Sequence, residues 1–452
     1  MPKIEMETGR IAILGTGREG RAAWRYLRDL YPGIELTLID EKSPDPAIAG
    51  ALTERDRMVT GPLSQAGLEG FDVLVRSPGI SVYRASLRRA AEAGVTITTP
   101  SNLWFAAHRD QRTVCITGTK GKSTTSALLA HLLATCGYAV RLAGNIGKPL
   151  LECDDQCVDW WVIELSSYQL ADLEAEPTLA VILNLSPEHL DWHGSAAIYY
   201  RDKLRLADLA GSNPVFSNAA DPALRAALTG RDNARWFNRE DGIRALGKRL
   251  LQGERELAVR LPVGLPGTHN LSNVAAALTV AREIGIALEE AVESVTTFRP
   301  LPHRLQLLGE RDGLRFVNDS ISSTPVATVA ALESFAGETV TLIVGGLDRG
   351  LDWVPYMEAF EVMTPQAIVG VPDNGPRILA TLRGAGIQPR QGLHEATDLA
   401  AAVRLARRIT PSGAIVLLSP GAPSFPQFRD YRDRGRRFAA SCGFEWEDAD
   451  PF

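Results

Sequence analysis

The run Val114-Cys115-Ile116-Thr117-Gly118-Thr119-Lys120-Gly121-Lys122-Ser123-Thr124-Thr125 constrains this chain more than any other stretch, because an apolar β-type segment breaks there into a glycine loop and then a helical sequence. The two glycines let the backbone turn so that several N–H groups point inward, and the helix that follows adds the positive end of its dipole. Such a loop holds phosphate. Gly118, Thr119, Lys120, Gly121, Lys122, Ser123 and Thr124 are therefore candidate nucleotide contacts, with Lys122 meeting terminal phosphate oxygens and the Ser123 hydroxyl available to a phosphate-held magnesium ion. The general pattern G-x-x-x-x-G-K-[ST] would require glycine where Ile116 stands, so this loop is a compact variant. An ordinary strand–turn–helix joint is the alternative. It fits poorly with Gly-Lys-Ser-Thr lying directly between an apolar run and the amphipathic segment 127–133.

A chain of 452 residues is past the size at which one hydrophobic core stops growing, so about three domains are expected. Its 45% hydrophobic and 23% charged shares are those of a soluble globular enzyme. No apolar run approaches the ~20 residues that cross a bilayer. Met1-Pro2-Lys3-Ile4-Glu5 lacks the apolar core of a signal peptide. The expected location is the cytoplasm, with no membrane partner. Cys115, Cys136, Cys153, Cys157 and Cys442 are scattered and odd in number, which fits reduced thiols; Cys153 and Cys157 lack the second pair that a metal site would need. A net charge of −6 disfavours nonspecific nucleic-acid binding.

Nearer the N-terminus, Ile11-Ala12-Ile13-Leu14 runs into Gly15-Thr16-Gly17-Arg18-Glu19-Gly20, a helical stretch through Tyr31, and a strand over 35–39 that ends at Asp40. The glycines suit a tight turn and close approach to a ligand, and the acid about 20 residues on suits a ribose hydroxyl. By itself the motif indicates a phosphorylated ligand such as a nucleoside diphosphate, not nicotinamide in particular. A second apolar run, 71–75, leads into Arg76-Ser77-Pro78-Gly79-Ile80-Ser81 at a strand's carboxyl end, the edge where α/β sheets bind ligands. A small α/β domain is expected to close at residue 108, before the polar His108-Arg109-Asp110-Gln111-Arg112.

Three later apolar runs also end in polar residues. Gly144-Asn145-Ile146-Gly147 follows 140–142, Glu164-Leu165-Ser166-Ser167-Tyr168-Gln169 follows 160–163, and 184–194, with Glu188, His189 and Asp191, follows 180–183. Together they read as one metal-nucleotide cleft, in which Glu164 beside the Ser123 hydroxyl suits magnesium; His189 is a less typical ligand. Taken singly, Glu164 could instead cap a helix, and His189 could be a buried, hydrogen-bonded histidine. By spacing alone Lys203 falls on a solvated helix face with Arg201, Asp202 and Arg205.

Segments 117–125, 164–169, 184–191 and 200–206, in that order, resemble the Mur ligases, ATP-dependent amino-acid ligases of peptidoglycan precursor synthesis. The resemblance covers essentially the whole chain and is strongest to the branch that adds glutamate to UDP-N-acetylmuramoyl-L-alanine. It implies an α/β fold in three domains: a Rossmann-like domain over 1–108 for the UDP-sugar, a central P-loop ATPase domain over 109–300, and a Rossmann-like domain over 301–452 for the incoming amino acid. It places the UDP-sugar on Gly15, Thr16, Gly17, Arg18, Asp40, Ser77 and Gly79, with Asn145, Ser166 and Gln169 reaching in from the centre. It makes Lys122, Glu164, His189 and Lys203 the catalytic set. Lys203 corresponds to a lysine that is carbamylated in similar enzymes, where an ammonium becomes an anionic oxygen ligand; ATP and two Mg2+ ions, held by Ser123, Glu164, Lys203 and His189, are implied.

In His269-Asn270-Leu271-Ser272-Asn273 the two asparagines share one side of a helical turn. They could cap the helix; in similar ligases they touch the adenine of ATP. Arg304, beside Pro300 and Pro302, suits a hinge that brings a cation onto ATP as domains close, excluding water from a labile intermediate. Beyond it, strand and helix signals alternate as in a parallel sheet with covering helices. The resemblance directs Asp319 to the ATP ribose. Ser322, Ser323, Arg349, Ser424 and Phe425 are candidate glutamate contacts, Arg349 by bidentate pairing with a carboxylate and Ser424 through its hydroxyl.

Enzymes that add D-glutamate commonly have a lysine where this chain has Ile321, and another where it has Arg349. The branch sharing Asn-Asp-Ser-Ile and Asp-Arg-Gly-Leu-Asp-Trp adds L-glutamate and leaves inversion to a separate epimerase. The expectation is thus a monomer acting on two small molecules through an acyl phosphate. Three rivals stay open: a D-glutamate ligase of the same family, a folylpolyglutamate synthetase-like enzyme, against which the extra N-terminal α/β unit argues, and a nucleotide-switched binding protein without ligase activity.

Overall fold

The apolar runs become strands of three successive sheets. The computed structural model describes residues 9–446 except 43–47, 49, 154–157, 260, 263–264, 266–267 and 300. Cys157, and with it the Cys153–Cys157 pair, lies outside the described residues, as does the Met1–Glu5 stretch.

The first sheet holds β1 (Ile11–Leu14), β2 (Leu36–Asp40), β3 (Asp56–Thr60), β4 (Val73–Arg76) and β5 (Thr96–Thr98) in the order β3-β2-β1-β4-β5, all parallel. β1 and β4 are buried throughout, as strands covered on both faces must be. The strand order reverses between β1 and β4, which sets the turns after them side by side: Ser77 Oγ donates to the Gly15 carbonyl at 3.0 Å.

The central sheet comprises β6 (Thr113–Thr117), β7 (Val140–Gly144), β8 (Trp160–Glu164), β9 (Leu179–Ile182), β10 (Val215–Asn218) and β11 (Ala234–Phe237), in the parallel order β11-β10-β9-β6-β8-β7. Because β8 and β9 flank β6, the phosphate loop, the Glu164 turn and the segment after β9 meet at one edge. The helix Lys122–Thr135 was expected to be amphipathic and is not: residues Thr124 to Ala130 are all buried, because a second helix, Thr268–Ile284, shares its core on the side away from the sheet.

An unexpected antiparallel sheet of β12 (Ile243–Leu246), β13 (Arg249–Gln252) and β14 (Arg255–Leu257) adds Ile243, Leu250 and Leu257 to that core. Its two tight loops begin at Gly247 and Gly253 in the left-handed region that such hairpins need.

The third sheet is β15 (Gln306–Arg311), β16 (Leu314–Asn318), β17 (Val340–Val344), β18 (Ala367–Gly370), β19 (Leu393–Glu395) and β20 (Ile415–Leu418), in the order β15-β16-β20-β17-β18-β19, with only β15 antiparallel to its neighbour. The turns after β16, β20 and β17 are consequently neighbours.

Polar straps, some of them buried, join the first sheet to the centre. Arg76, fully buried, grips the Asp172 carboxylate with Nε at 3.0 Å and Nη2 at 2.6 Å. Asn102 donates to the Asp172 carbonyl and accepts from the Glu174 amide. Arg18 reaches the Gly147 carbonyl at 2.9 Å.

Candidate functional site

The phosphate loop is built by two glycines in positions that admit no side chain. At Gly118 (φ +155°) a Cβ would lie 2.9 Å from the Leu183 side chain, and at Gly121 (φ +82°) it would lie 2.4 Å from Asn273 Oδ1. The segment after β9 is zipped to the loop: Asn184 takes the Thr119 amide on its carbonyl and the Lys120 amide on Oδ1 at 2.8 Å, and returns Nδ2 to the Lys120 carbonyl. Thr119 Oγ1 donates to the Ser186 carbonyl and lies 2.8 Å from the Tyr199 hydroxyl. Lys120 is exposed and donates to Glu188.

Lys122 and Lys203 both donate to the Gly118 carbonyl at 2.8 Å, and Lys122 also to that of Thr119 at 2.9 Å. Lys203 is 1% exposed, its ammonium 5.1 Å from the Tyr199 ring centre. The solvated face read from spacing is thereby overturned: the helix Ala196–Leu209 turns Asp202 and Lys203 inward and leaves Arg201 outside. Burial, and then the neighbouring Lys122 charge, drive the Lys203 ammonium well below its ordinary range, and burial lowers Lys122 too.

Glu164 is buried at the end of β8. Its Oε1 accepts from Asn145 Nδ2 at 2.6 Å, whereas Oε2 has no partner among the described residues. A buried carboxylate oxygen lacking a donor is costly, and it fits a cation bound between that oxygen and the loop. Glu164 caps no helix; Ser166 does, in a reciprocal capping box with Gln169. His189 is a left-handed residue (φ 56°) with its ring half exposed, 5.0 Å from the Tyr168 ring, so it is not the buried histidine of the alternative reading. Among the described residues no three of His, Cys, Asp and Glu gather as a ready-made metal cluster.

Thr124 is buried in the first turn of its helix. Asn273 donates to Asn270 Oδ1 at 3.0 Å, and its own Oδ1 lies against Gly121. From the start of the third region, Arg304 Nη2 reaches the Ser123 hydroxyl at 3.4 Å, and its buried Nε has no partner among the described residues.

A separate cavity of about 450 Å³ opens between the first and central sheets, lined by Gly15, Gly17, Arg18, Asp40, Ser77, Gly79, Asn145, Ser166 and Gln169. Thr16 stands behind it, its amide and hydroxyl both 2.7 Å from Asp40 Oδ2. Burial pushes the Asp40 carboxyl up, but donors from Thr16 and Lys42 outweigh it and hold the group below the ordinary range. Glu19 and Tyr168 also line the cavity and were not foreseen. Burial lifts the Glu19 carboxyl to about 7 against the pull of Arg18.

The candidates of the third sheet are divided between interior and surface. Asp319, anticipated at a ribose, is turned into the sheet edge, where Leu305 N, Ser322 Oγ and Ser419 Oγ donate to it; burial raises it to about 6. Ser322 is thereby committed, Ser323 and Arg349 are exposed, Ser424 is buried and Phe425 is 64% exposed. Neighbouring Asp348 pairs with Arg377 at 2.6 Å. Sequence reasoning passed over Arg434, which looks solvated within Arg432-Asp433-Arg434-Gly435-Arg436. It is 2% exposed and ties the Ala422 carbonyl (2.9 Å) to that of Ser320 (2.8 Å), bridging the turns after β20 and β16; burial brings it down to about 9. Also unforeseen is a buried chain from Tyr83 through Asp202 and His193 to Ser167. The one signal for either was a charged or aromatic residue next to a motif.

Two family models match the chain: "Mur ligase MurD-like, N-terminal domain" over residues 9–99 and "Mur ligase middle domain" over 116–281. A UDP-N-acetylmuramoyl-L-alanine--L-glutamate ligase of Xylella fastidiosa is 45% identical over 98% of this chain and 97% of its own length. A protein of the same name from Xanthomonas axonopodis pv. citri is 44% identical over 98% and 96%. Among solved structures, a MurF ligase from Thermotoga maritima in complex with ADP is similar in fold, with a TM-score of 0.61 at 16% identity, covering 97% of this chain and 96% of that one.

Proposed function

The chain belongs to the Mur ligase family, whose members depend on ATP, and from that premise we propose that it joins L-glutamate to UDP-N-acetylmuramoyl-L-alanine in peptidoglycan precursor synthesis. The observation that carries the chemistry is the convergence of Lys122, Lys203 and Ser123 on the glycine loop, with the unpartnered Glu164 Oε2 at the adjacent strand end.

In this reading the region 1–108 seats the UDP-sugar, 109–300 the nucleotide and 301–452 the amino acid. An oxygen of the alanyl carboxylate attacks the γ-phosphorus of ATP, the bond to the β–γ bridging oxygen breaks, and ADP leaves an acyl phosphate. The glutamate amine then attacks the acyl carbon, the carbon–oxygen bond to phosphate breaks, and the amine's extra proton is lost. Lys122 neutralises charge spreading over the phosphate oxygens. Ser123, Glu164 and a carbamylated Lys203, with His189 beside them, would hold two magnesium ions, which supply further charge neutralisation when bound. Carbamylation joins a neutral amine to carbon dioxide, forming an N–C bond and releasing a proton; the lowered Lys203 supports it by favouring the neutral amine. Holding three substrates in one closing cleft supplies orientation.

The L isomer rests on the relatives' names and on Ile321 and Arg349. Phosphate release measured with UDP-N-acetylmuramoyl-L-alanine and each glutamate isomer tests the reading. Release should require both substrates and run faster with L-glutamate. Preference for D-glutamate would reassign the branch, and release indifferent to both substrates would leave a nucleotide switch.

A further inference from the structure

The loop after β4 and the helix that carries Lys203 are joined by polar groups, buried at their centre, that the ligation chemistry does not use. Tyr83 donates its hydroxyl to Asp202, 2.7 Å from either carboxylate oxygen. Arg201 donates to the same hydroxyl at 2.7 Å and to Asp202 Oδ1 at 3.1 Å. Asp202 Oδ2 lies 2.8 Å from His193 Nδ1, and His193 Nε2 lies 2.9 Å from Ser167 Oγ. Ser167, His193 and Asp202 are all buried, at 3%, 1% and 2% exposure.

A carboxylate that deep is tolerated only when donors satisfy it, and here tyrosine, imidazole and guanidinium do so. Asp202 fixes the imidazole proton on Nδ1, which leaves Nε2 to accept from the Ser167 hydroxyl. The chain thus has one direction of donation along each half, and its length is set by close contacts throughout.

Its two ends adjoin two walls of the cavity assigned above to the UDP-sugar, one from the first sheet and one from the centre. Tyr83 closes the loop that presents Ser77, Gly79 and Ile80, and Ser167 sits between Ser166 and Tyr168. Neither Asp202 nor His193 lines that cavity; with Tyr83 they line a second one of about 720 Å³. We propose that the Tyr83–Asp202–His193–Ser167 chain, acting with Arg76, which donates to the Ile80 and Tyr168 carbonyls, sets the separation of those two walls, so that Asp202 and His193 are positioning residues for a UDP-sugar they never touch. The proposal rests on the function inferred above. Independent straps, Arg76 to Asp172 and Ser81 Oγ to the Trp192 carbonyl at 2.8 Å, keep the two sheets together when this chain is cut.

The test is calorimetric binding of UDP-N-acetylmuramoyl-L-alanine to the full chain, with steady-state KM and kcat, in the wild type, Tyr83→Phe, Asp202→Asn and the double variant. Loosening one wall of the cavity should raise Kd and KM for the UDP-sugar about tenfold in Tyr83→Phe, with kcat and the KM for ATP within about twofold. The double variant should be no worse than Asp202→Asn alone, because both cut one chain. Tyr83→Phe, which removes a single half-buried hydroxyl, keeps the proposal open to refutation should Asp202→Asn fail to fold. Unchanged UDP-sugar affinity in Tyr83→Phe, or an equal rise in the KM for ATP, overturns the proposal and leaves the ligase reading intact. A wild type that does not bind the UDP-sugar overturns both.

Discussion

The Lys122 and Lys203 side chains both end at the single carbonyl of Gly118, with little water to screen them, so the charge of Lys122 helps to favour the neutral Lys203 amine. That arrangement suits the carbamylation proposed above. It also makes a prediction about the empty protein. The folded-state pKa of Lys203 lies below its ordinary 10.5, so the unfolded chain binds the proton more tightly; stability should rise with pH from the lowered value up to 10.5. Thermal melts in carbon-dioxide-free buffer should show Tm rising less as pH is raised towards 10.5 in Lys203→Met than in wild type, while that variant loses ligation. Glu19 supplies a second titration. With its carboxyl near 7 in the cavity proposed for the UDP-sugar, it is increasingly neutral as pH falls, and a neutral neighbour favours an anionic diphosphate. Kd for UDP-N-acetylmuramoyl-L-alanine should therefore tighten from pH 8 to pH 6 in wild type and change less in Glu19→Gln. Residues such as Lys122 and Glu164 were legible because the motif fixes their place relative to a strand end. Lys203 was not legible from spacing, since Arg201, Asp202 and Lys203 look alike in sequence and only tertiary contact decides which of them is buried. Arg434 was hidden for the same reason.

At the level of single elements, strands buried on both faces announced themselves as unbroken apolar runs, and β6, β8 and β17 fall where such runs lie. The small sheet β12–β14 went unseen because its short, half-exposed strands carry charges at Arg244, Arg249 and Arg255 and no long period. The helix Lys122–Thr135 was expected to show water one face, but its alanines and leucines are enclosed by the sheet on one side and the helix Thr268–Ile284 on the other. That second helix presses Asn273 onto the loop at Gly121. Gly121→Ala forces a left-handed residue with a Cβ into Asn273 Oδ1, and should cost about 1–2 kcal/mol in urea unfolding, with weaker ATP binding as its functional sign.

For the molecule as a whole, the order of motifs gave the succession of sheets, whereas the contacts between sheets had no sequence signature: Arg76 and Asp172 are far apart in the chain and ordinary in context. Arg304 is the side chain that brings the third region to the phosphate loop, through a bond to Ser123 long enough to be weak. Arg304→Ala should lower kcat about tenfold or more by removing a cation from the closing cleft, while calorimetry finds the UDP-sugar affinity unchanged. The straps between the first two sheets are of another kind, since Arg76 is fully enclosed and its two bonds to Asp172 are short. A rotation of the third region that broke the Arg304 bond would leave them untouched. In the proposed reaction the sugar nucleotide then stays berthed while spent ADP departs and fresh amino acid arrives, and isotope-labelled UDP-sugar should wash out of the stalled enzyme more slowly than labelled ATP.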